Sequence, residues 1–457
     1  MSKPETQSLS AGPGFSGLRA RAKSGVETGV ETGVDSGVDS GTGSGARRET
    51  QAAAAPGSAA SASTDTSAAK SAATLAAASS ATSRRLQQHL LSRIDEDGGW
   101  LAFDEFMAMA LYEPGLGYYA RGDRLFGLGP QSGSDFVTAP ELSPLFGAVL
   151  ARQVAQALDA AGADEVWEFG AGSGALAQQL LQALGPRVKR YTIVEVSAAL
   201  QAQQARRLQA WASQVRWLEH WPHAQEPGIT GVVVGNEVLD AMPVKLLHLD
   251  GHSWQERGVG RNRSATDSAF EWQDRPTMLR PPGQPDDPLQ GTLPGGTVTE
   301  IHPQAEAFVR TLASQLQRGA IFLIDYGFPE HEYYHPQRMG GTLMCHRLHR
   351  SDSEPLHDVG DKDITAHLNF SSLALSAQDA GLQVLGYTSQ AHFLINCGLL
   401  DLLQGADPRT LAHAQKLVTE HEMGELFKVL GLARGLQSPH TLSAAMGFAV
   451  GDRSHTL

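Results

Sequence analysis

Residues Val166 to Ala177 read Val-Trp-Glu-Phe-Gly-Ala-Gly-Ser-Gly-Ala-Leu-Ala, an apolar strand running into a glycine turn that opens a helix. Gly170, Gly172 and Gly174 leave the main chain bare where the helix begins, so a ligand can come close to the free N–H groups of the first turn. Glu168 stands two positions before the first glycine, and its carboxylate suits a ligand with an amino group, S-adenosylmethionine in preference to a pyrophosphate. Glu195 ends the apolar run Tyr-Thr-Ile-Val-Glu about 20 positions beyond Gly174, the spacing at which an acid at the tip of a second strand accepts hydrogen bonds from both hydroxyls of a ribose. Gly170-x-Gly172-x-x-Ala175 also satisfies the dinucleotide fingerprint, with alanine in the third place, so an NAD site stays open on spacing alone. Glu168 and the lack of a second dinucleotide half count against it.

A second group of reactive side chains follows a later strand, in Gly235-Asn236-Glu237-Val238-Leu239-Asp240-Ala241-Met242-Pro243. Methyl transfer from a sulfonium is an in-line displacement, for which a protein chiefly aligns the nucleophile and stabilises moving charge. A guanidinium nucleophile cannot be deprotonated beforehand, so paired carboxylates must orient it. Asn236, Glu237 and Asp240 are the catalytic candidates. Asn and Asp also cap helices where a strand stops, and the sequence leaves that alternative open. Asp325, after a later apolar strand, and His367 are substrate-side candidates, as are Thr138 and Glu141 in a segment expected to fold over the cofactor. Glu219 and Trp221, past the third strand, are placed near the adenine. His346, His349 and His367 lack the i, i+4 spacing of a helical ligand pair, so no metal site is expected.

The elements that must carry these residues alternate between strand and helix. Glu165 to Phe169, Arg190 to Val196, Val215 to Leu218 and Gly231 to Gly235 read as strands, with helices at Ala175 to Leu184 and Ala198 to Ala212 between them. Such alternation predicts a parallel α/β sheet. The pattern resumes with a helix from Gln304 to Gln317, a strand from Ala320 to Asp325, a helix from Ser371 to Ala380, a strand from Leu382 to Tyr387 and a last apolar run from Phe427 to Ala433. Seven main strands are expected, with the crevice at the carboxyl ends of the first, second and fourth. Residues 84–163 are read as a helical cap with a glycine-rich lid from Tyr112 to Glu141, and residues 164–457 as the core. Insertions are expected near 251–300, with hairpin strands at Lys245 to Leu249 and Phe270 to Gln273, and near 327–362. A helical insert is expected near 393–421.

Residues 1–83 cannot add to a core. They are rich in Ser, Ala, Gly and Thr, and tandem tetrads of the type Gly-Val-Glu-Thr run from Gly25 to Ser40, which reads as a disordered low-complexity leader. Its acids Glu27, Glu31, Asp35 and Asp39 argue against an organellar transit peptide. A formal net charge of −13 disfavours a broad nucleic-acid surface. Two cysteines, Cys345 and Cys397, outside any CxxC pair give neither a disulfide framework nor a zinc site. With no apolar run long enough to span a bilayer, a cytoplasmic protein is expected, or one of the mitochondrial matrix if the chain is eukaryotic.

Several further blocks carry a resemblance from about Arg84 to Gly451. They are Tyr112-Glu113-Pro114-Gly115-x-Gly117-Tyr118-Tyr119, Asp135-Phe136-Val137-Thr138-Ala139-Pro140-Glu141-Leu142-Ser143, the glycine turn, Asn236-Glu237-x-x-Asp240-Ala241-x-Pro243, Ile324-Asp325-Tyr326-Gly327, Gly341-Thr342-Leu343, Asp363-Ile364-Thr365-Ala366-His367-x-Asn369-Phe370 and Met423-Gly424-Glu425-x-Phe427-Lys428-Val429-Leu430. In this order they resemble the MidA-like family of class I methyltransferases, which includes a mitochondrial protein-arginine methyltransferase that assists assembly of respiratory complex I. The resemblance implies a Rossmann-like, mostly parallel sheet, S-adenosylmethionine held at Gly170, Gly172 and Glu195, and a protein substrate, with a complex I subunit as one candidate. An assembly factor that binds the cofactor without turnover is the alternative.

Overall fold

Runs such as Gly231-Val232-Val233-Val234-Gly235 are apolar on both sides, as a strand must be when helices cover both faces of its sheet. The computed structural model describes residues 81–121, 137–221, 228–264, 268–285, 291–347, 350–436 and 445–457. The expected leader falls almost wholly outside these residues, as does the middle of the expected glycine-rich lid. Seven strands form the main sheet: β1 (Glu165–Phe169), β2 (Arg190–Val194), β3 (Val215–Leu218), β4 (Ile229–Asn236), β5 (Leu316–Phe328), β6 (Gln383–Ser389) and β7 (Phe427–Arg434). Their spatial order is β3-β2-β1-β4-β5-β7-β6. The first five are parallel, and β7 runs antiparallel to both its neighbours. A two-residue strand, Leu368–Asn369, pairs in parallel beside the end of β5. The seven expected strands are all present; β5 is longer than Ala320 to Asp325 because it has partners on both sides.

Six helices matter for the site: α1 (Phe103–Tyr112), α2 (Pro144–Ala161), α3 (Ala175–Leu184), α4 (Ala198–Arg207), α5 (Pro303–Gln315) and α6 (Phe370–Asp379). One face of the sheet packs against α2 and α3, where Val149, Val154, Leu158, Leu176 and Leu180 meet Val232, Val234, Phe322 and Ile324. The other face packs against α5 and α6 through Phe308, Leu312, Leu373, Val233 and Leu323. The expected cap boundary at residue 163 therefore needs correction. The apolar stripe of α2 lies against the central sheet, so this helix belongs to the core. Its start is fixed by Ser143, whose hydroxyl accepts the Leu145 N–H, and its end by Gly162 in the left-handed conformation.

A second, antiparallel sheet joins residues far apart in sequence. Trp100–Ala102 pairs with Trp254–Arg261, which pairs in turn with Phe270–Pro276 and Lys245–Leu249, and Lys245–Leu249 pairs with Val298–Ile301. Leu86, Leu90, Ile94, Phe103, Phe106 and Met107 pack on it with Val259 and Phe270. The expected cap and the expected insertion thus share one core. The helical stretch expected near 393–421 is three helices, Gln390–Asn396, Leu399–Leu402 and Pro408–Val418, separated at Gly398 and Gly405, both with positive φ.

Candidate functional site

The register of the sheet sets the expected residues side by side. Phe169 pairs with Gly235 and Asn236 with Ile324, so the glycine turn after β1 leaves the sheet beside Asn236, and Glu237 beside Asp325. The Gly170 N–H donates to the Val194 carbonyl, which brings the start of the turn next to Glu195. These residues line the carboxyl ends of β1, β2, β4 and β5, where an open α/β sheet binds its ligand.

All three glycines of the turn have positive φ, 64°, 53° and 81°. Gly172 is buried, yet a Cβ built on it would meet nothing within 4 Å, which leaves a sheltered cradle against bare backbone. At Gly174 the positive φ is what calls for glycine, since a Cβ there would make only ordinary contact with Gln204, 3.4 Å away. Glu195 is buried at the tip of β2, with one carboxylate oxygen accepting the Ser197 N–H at 2.9 Å and the other the Gln204 Nε2 group at 3.3 Å. Cradle and acid fit an adenosyl ligand: small-residue backbone for close approach and a fixed carboxylate for ribose hydroxyls.

Glu168 differs from expectation in its partner. Its carboxyl is 2% exposed and accepts the Tyr191 hydroxyl at 2.6 Å, on the face of the sheet that α2 and α3 cover. Burial pushes its pKa up to about 7, and the Tyr191 hydroxyl opposes that shift. Glu219 is exposed after β3. Trp221 turns instead into the apolar cluster beneath the sheet, its ring 4.7 Å from Phe169 and 5.2 Å from Phe308, because that cluster offers two aromatic partners.

Beyond β4, Glu237 takes φ 54°, one of two non-glycine residues with positive φ among those described. A bulky residue there is strained by about 1–3 kcal/mol unless its surroundings hold it. Here they do: its N–H donates to Ile324 O at 2.7 Å, and Asn236 Nδ2 donates to its carboxylate at 2.7 Å. Asn236 Oδ1 is buried with no hydrogen-bond partner among the described residues. Asp325 accepts the N–H groups of Leu239, Asp240 and Tyr326, so it holds the loop that carries Asp240. Burial, then the Asp240 charge, push its pKa well above the carboxylate range. The Tyr326 hydroxyl donates to Asp240. His367 packs edge-on to Tyr326, with ring centroids 5.0 Å apart, and its carbonyl accepts from His302 Nε2 at 2.8 Å. Asn236, Glu237, Asp240 and Asp325 are each 3% exposed or less, which makes a buried patch of acceptors beside the cradle.

The expected lid residues have local partners. Thr138 caps the short helix Ala139–Leu142 by accepting the Glu141 N–H. Glu141 does not reach towards a substrate; it accepts from the Ser173 hydroxyl and from Arg207 at 2.6 Å, which ties this segment to the glycine turn. His346 lies buried in Met344–Arg347, the middle strand of a third, three-stranded antiparallel sheet with Arg350–Asp352 and Asp363–Thr365, and His349 lies outside the described residues. Among the described residues no cluster of three His, Cys, Asp or Glu could hold a metal, and no helix is long and apolar enough to cross a membrane. Three residues that sequence reasoning passed over, Gln204, Arg207 and Tyr326, each bond to an expected site residue. Tyr326 belongs to the block Ile324-Asp325-Tyr326-Gly327; the other two carry no sequence signal beyond their helix.

Comparison with known proteins agrees with this geometry. Residues 149–388 match a family model described as "Putative S-adenosyl-L-methionine-dependent methyltransferase". A crystal structure from Burkholderia thailandensis, bound to S-adenosyl-homocysteine, is 46% identical and superposes with a TM-score of 0.75, covering 83% of this chain and 98% of that one. The protein arginine methyltransferase NDUFAF7 of Danio rerio, a mitochondrial protein, is 28% identical over 77% of this chain and 88% of its own length. Its Drosophila melanogaster homolog is 27% identical over 74% and 82%. The choice of cofactor that glycine spacing left open is thereby decided for S-adenosylmethionine, and the sheet order is that of the class I methyltransferase fold. With β1 to β5 and the glycine turn inside the matched segment, the chain belongs to this family of S-adenosylmethionine-dependent methyltransferases.

Proposed function

We propose that the protein methylates an arginine side chain of a protein substrate. The observation that carries this reading is the buried acceptor patch of Asn236, Glu237 and Asp240 on a strained, strapped loop beside the glycine cradle. A guanidinium presents planar N–H donors, and a buried patch of carboxylates with an orphaned amide oxygen is the environment that would take it out of water. The names of the curated relatives, protein arginine methyltransferases, support the same substrate class.

Gly170, Gly172 and Gly174 would hold the cofactor along bare backbone and Glu195 its ribose, whereas Glu168, bonded to Tyr191 beneath α2 and α3, would support the strand that carries the turn. S-adenosylmethionine supplies an electrophilic methyl group on a sulfonium. Glu237 and Asp240 orient the guanidinium so that one nitrogen lone pair faces that carbon, and one of the two carboxylates takes the proton the nitrogen releases. The Tyr326 hydroxyl donates to Asp240 and so fixes the orientation of its carboxyl group. Glu219, exposed after β3, is assigned to the rim, and Thr138 and Glu141 shape the edge of the cradle.

The test is transfer of labelled methyl groups to arginine-containing targets. Glu237→Gln and Asp240→Asn each lower kcat by about 100-fold or more while S-adenosyl-homocysteine uptake is kept. Unchanged transfer in both variants sinks the catalytic assignment, and cofactor uptake without any methylated product in wild type favours an assembly factor. As the finer target we propose a respiratory complex I subunit. Mass spectrometry of methylarginine with and without the protein checks it.

A further inference from the structure

Helix α4 reads Ala-Ala-Leu-Gln-Ala-Gln-Gln-Ala-Arg-Arg, and of these ten residues only Leu200 and Gln204 are buried. A primary amide with no exposed surface on an otherwise polar helix is costly unless its donors and acceptor are met. Gln204 meets all three. Its Nε2 donates to the Gly172 carbonyl at 2.9 Å and to Glu195 at 3.3 Å, and its Oε1 accepts the Trp217 indole N–H at 2.9 Å. One side chain therefore joins the turn after β1, the acid at the tip of β2 and a residue of β3. Only an amide can do this, since the position needs two N–H groups on one end and an acceptor on the other. Three residues further on, Arg207 donates to the Ser173 hydroxyl and to Glu141, so the same helix grips the turn a second time.

We propose that Gln204 is a positioning residue for cofactor binding: it sets the Glu195 carboxylate and the Gly172 peptide in the orientation in which the ribose is held. The inference rests on the reading of Glu195 as the ribose acid. Loss of the amide frees the carboxylate to turn and the peptide to rotate, so affinity falls through the sugar and not through the rest of the ligand. A methionine at this position keeps the length without the donors. A glutamate sets a second carboxylate against Glu195, which displaces it until a shared proton restores a donor.

Titration calorimetry with S-adenosyl-homocysteine and its 2′-deoxyribose analogue separates the possibilities. Gln204→Met raises Kd for S-adenosyl-homocysteine about tenfold or more, the loss expected of a buried hydrogen bond to a charged group. Removing the 2′-hydroxyl then costs the variant much less than it costs wild type, because both changes delete the same interaction. Losses that simply add, or an unchanged Kd, overturn the proposal while leaving the cofactor site intact. Failure of wild type to take up S-adenosyl-homocysteine overturns the ribose reading and this inference together. Should Gln204→Met not fold, Gln204→Glu decides: its Kd relative to wild type falls about tenfold as pH drops from about 8.5 to about 6. A ratio that does not move with pH overturns the proposal.

Discussion

Glu168 puts a titrating group inside the sheet, and its pKa of about 7 has a consequence for stability. Because the folded value lies above the ordinary 4.5, the native state holds more protons than the unfolded chain between the two. The stabilisation is complete below about 4.5 and is lost as pH rises through about 7, at most about 3 kcal/mol in all. Glu168→Gln keeps an acceptor for Tyr191 and removes the titration. Urea unfolding at pH 5 and pH 8 should show wild type losing stability that the variant retains; parallel behaviour would mean the carboxyl titrates normally. Tyr326→Phe removes the hydroxyl donor to Asp240 and should lower kcat about tenfold with little change in Kd for S-adenosyl-homocysteine, because the cradle lies on β1 and β2. Steady-state kinetics beside calorimetry would show the split. At this scale the sequence makes Glu195, Asn236, Glu237, Asp240 and Asp325 legible as candidates from strand ends and spacing, and the register sets them at the carboxyl ends of neighbouring strands. It did not disclose Gln204, since Gln201, Gln203 and Gln204 look alike on a polar helix and only the close approach of α4 to Gly174 selects one for burial. Nor could spacing show that Asp325 spends its oxygens on the main chain of residues 239, 240 and 326.

Among the elements, β5 carries the tightest constraint. Gly319 has φ 145°, and a Cβ there would lie 1.7 Å from the Gly231 carbonyl oxygen on β4. Gly319→Ala must push β4 and β5 apart at their amino ends, at the opposite end of these strands from the acids. The expected result is a melting temperature several degrees lower with cofactor affinity nearly unchanged, followed by thermal unfolding and calorimetry. Loss of affinity with no change in melting would contradict it. The strands of the main sheet were legible because each is an apolar run of strand length between helical repeats, a local signal. The second sheet was legible only in part. Lys245 to Leu249 shows strand character by itself, but nothing in Trp100–Ala102 indicates that its partner is Trp254–Arg261, a pairing across some 150 residues that only tertiary packing decides. The same limit misplaced α2 in the cap, because an apolar stripe on a helix does not say which core receives it.

For the molecule as a whole, the candidate site and all three sheets among the described residues are built from Trp100 onward. A chain beginning at residue 81 should therefore take up S-adenosyl-homocysteine with the affinity of the full chain. A large loss on truncation would assign the first 80 residues a part in the site. The formal charge of −13 favours approach of a basic protein segment, so methyl transfer to such a target should slow as salt rises from about 50 to 300 mM, through KM more than kcat. The strand order also bears on how the chain is made. β7, the last of the described strands in chain order, sits between β5 and β6, and until it arrives each of them presents a bare hydrogen-bonding edge. A nascent chain stopped short of Phe427 would thus expose two template edges at once, which makes premature termination in this gene a hazard for aggregation and the holding of late intermediates a task for chaperones.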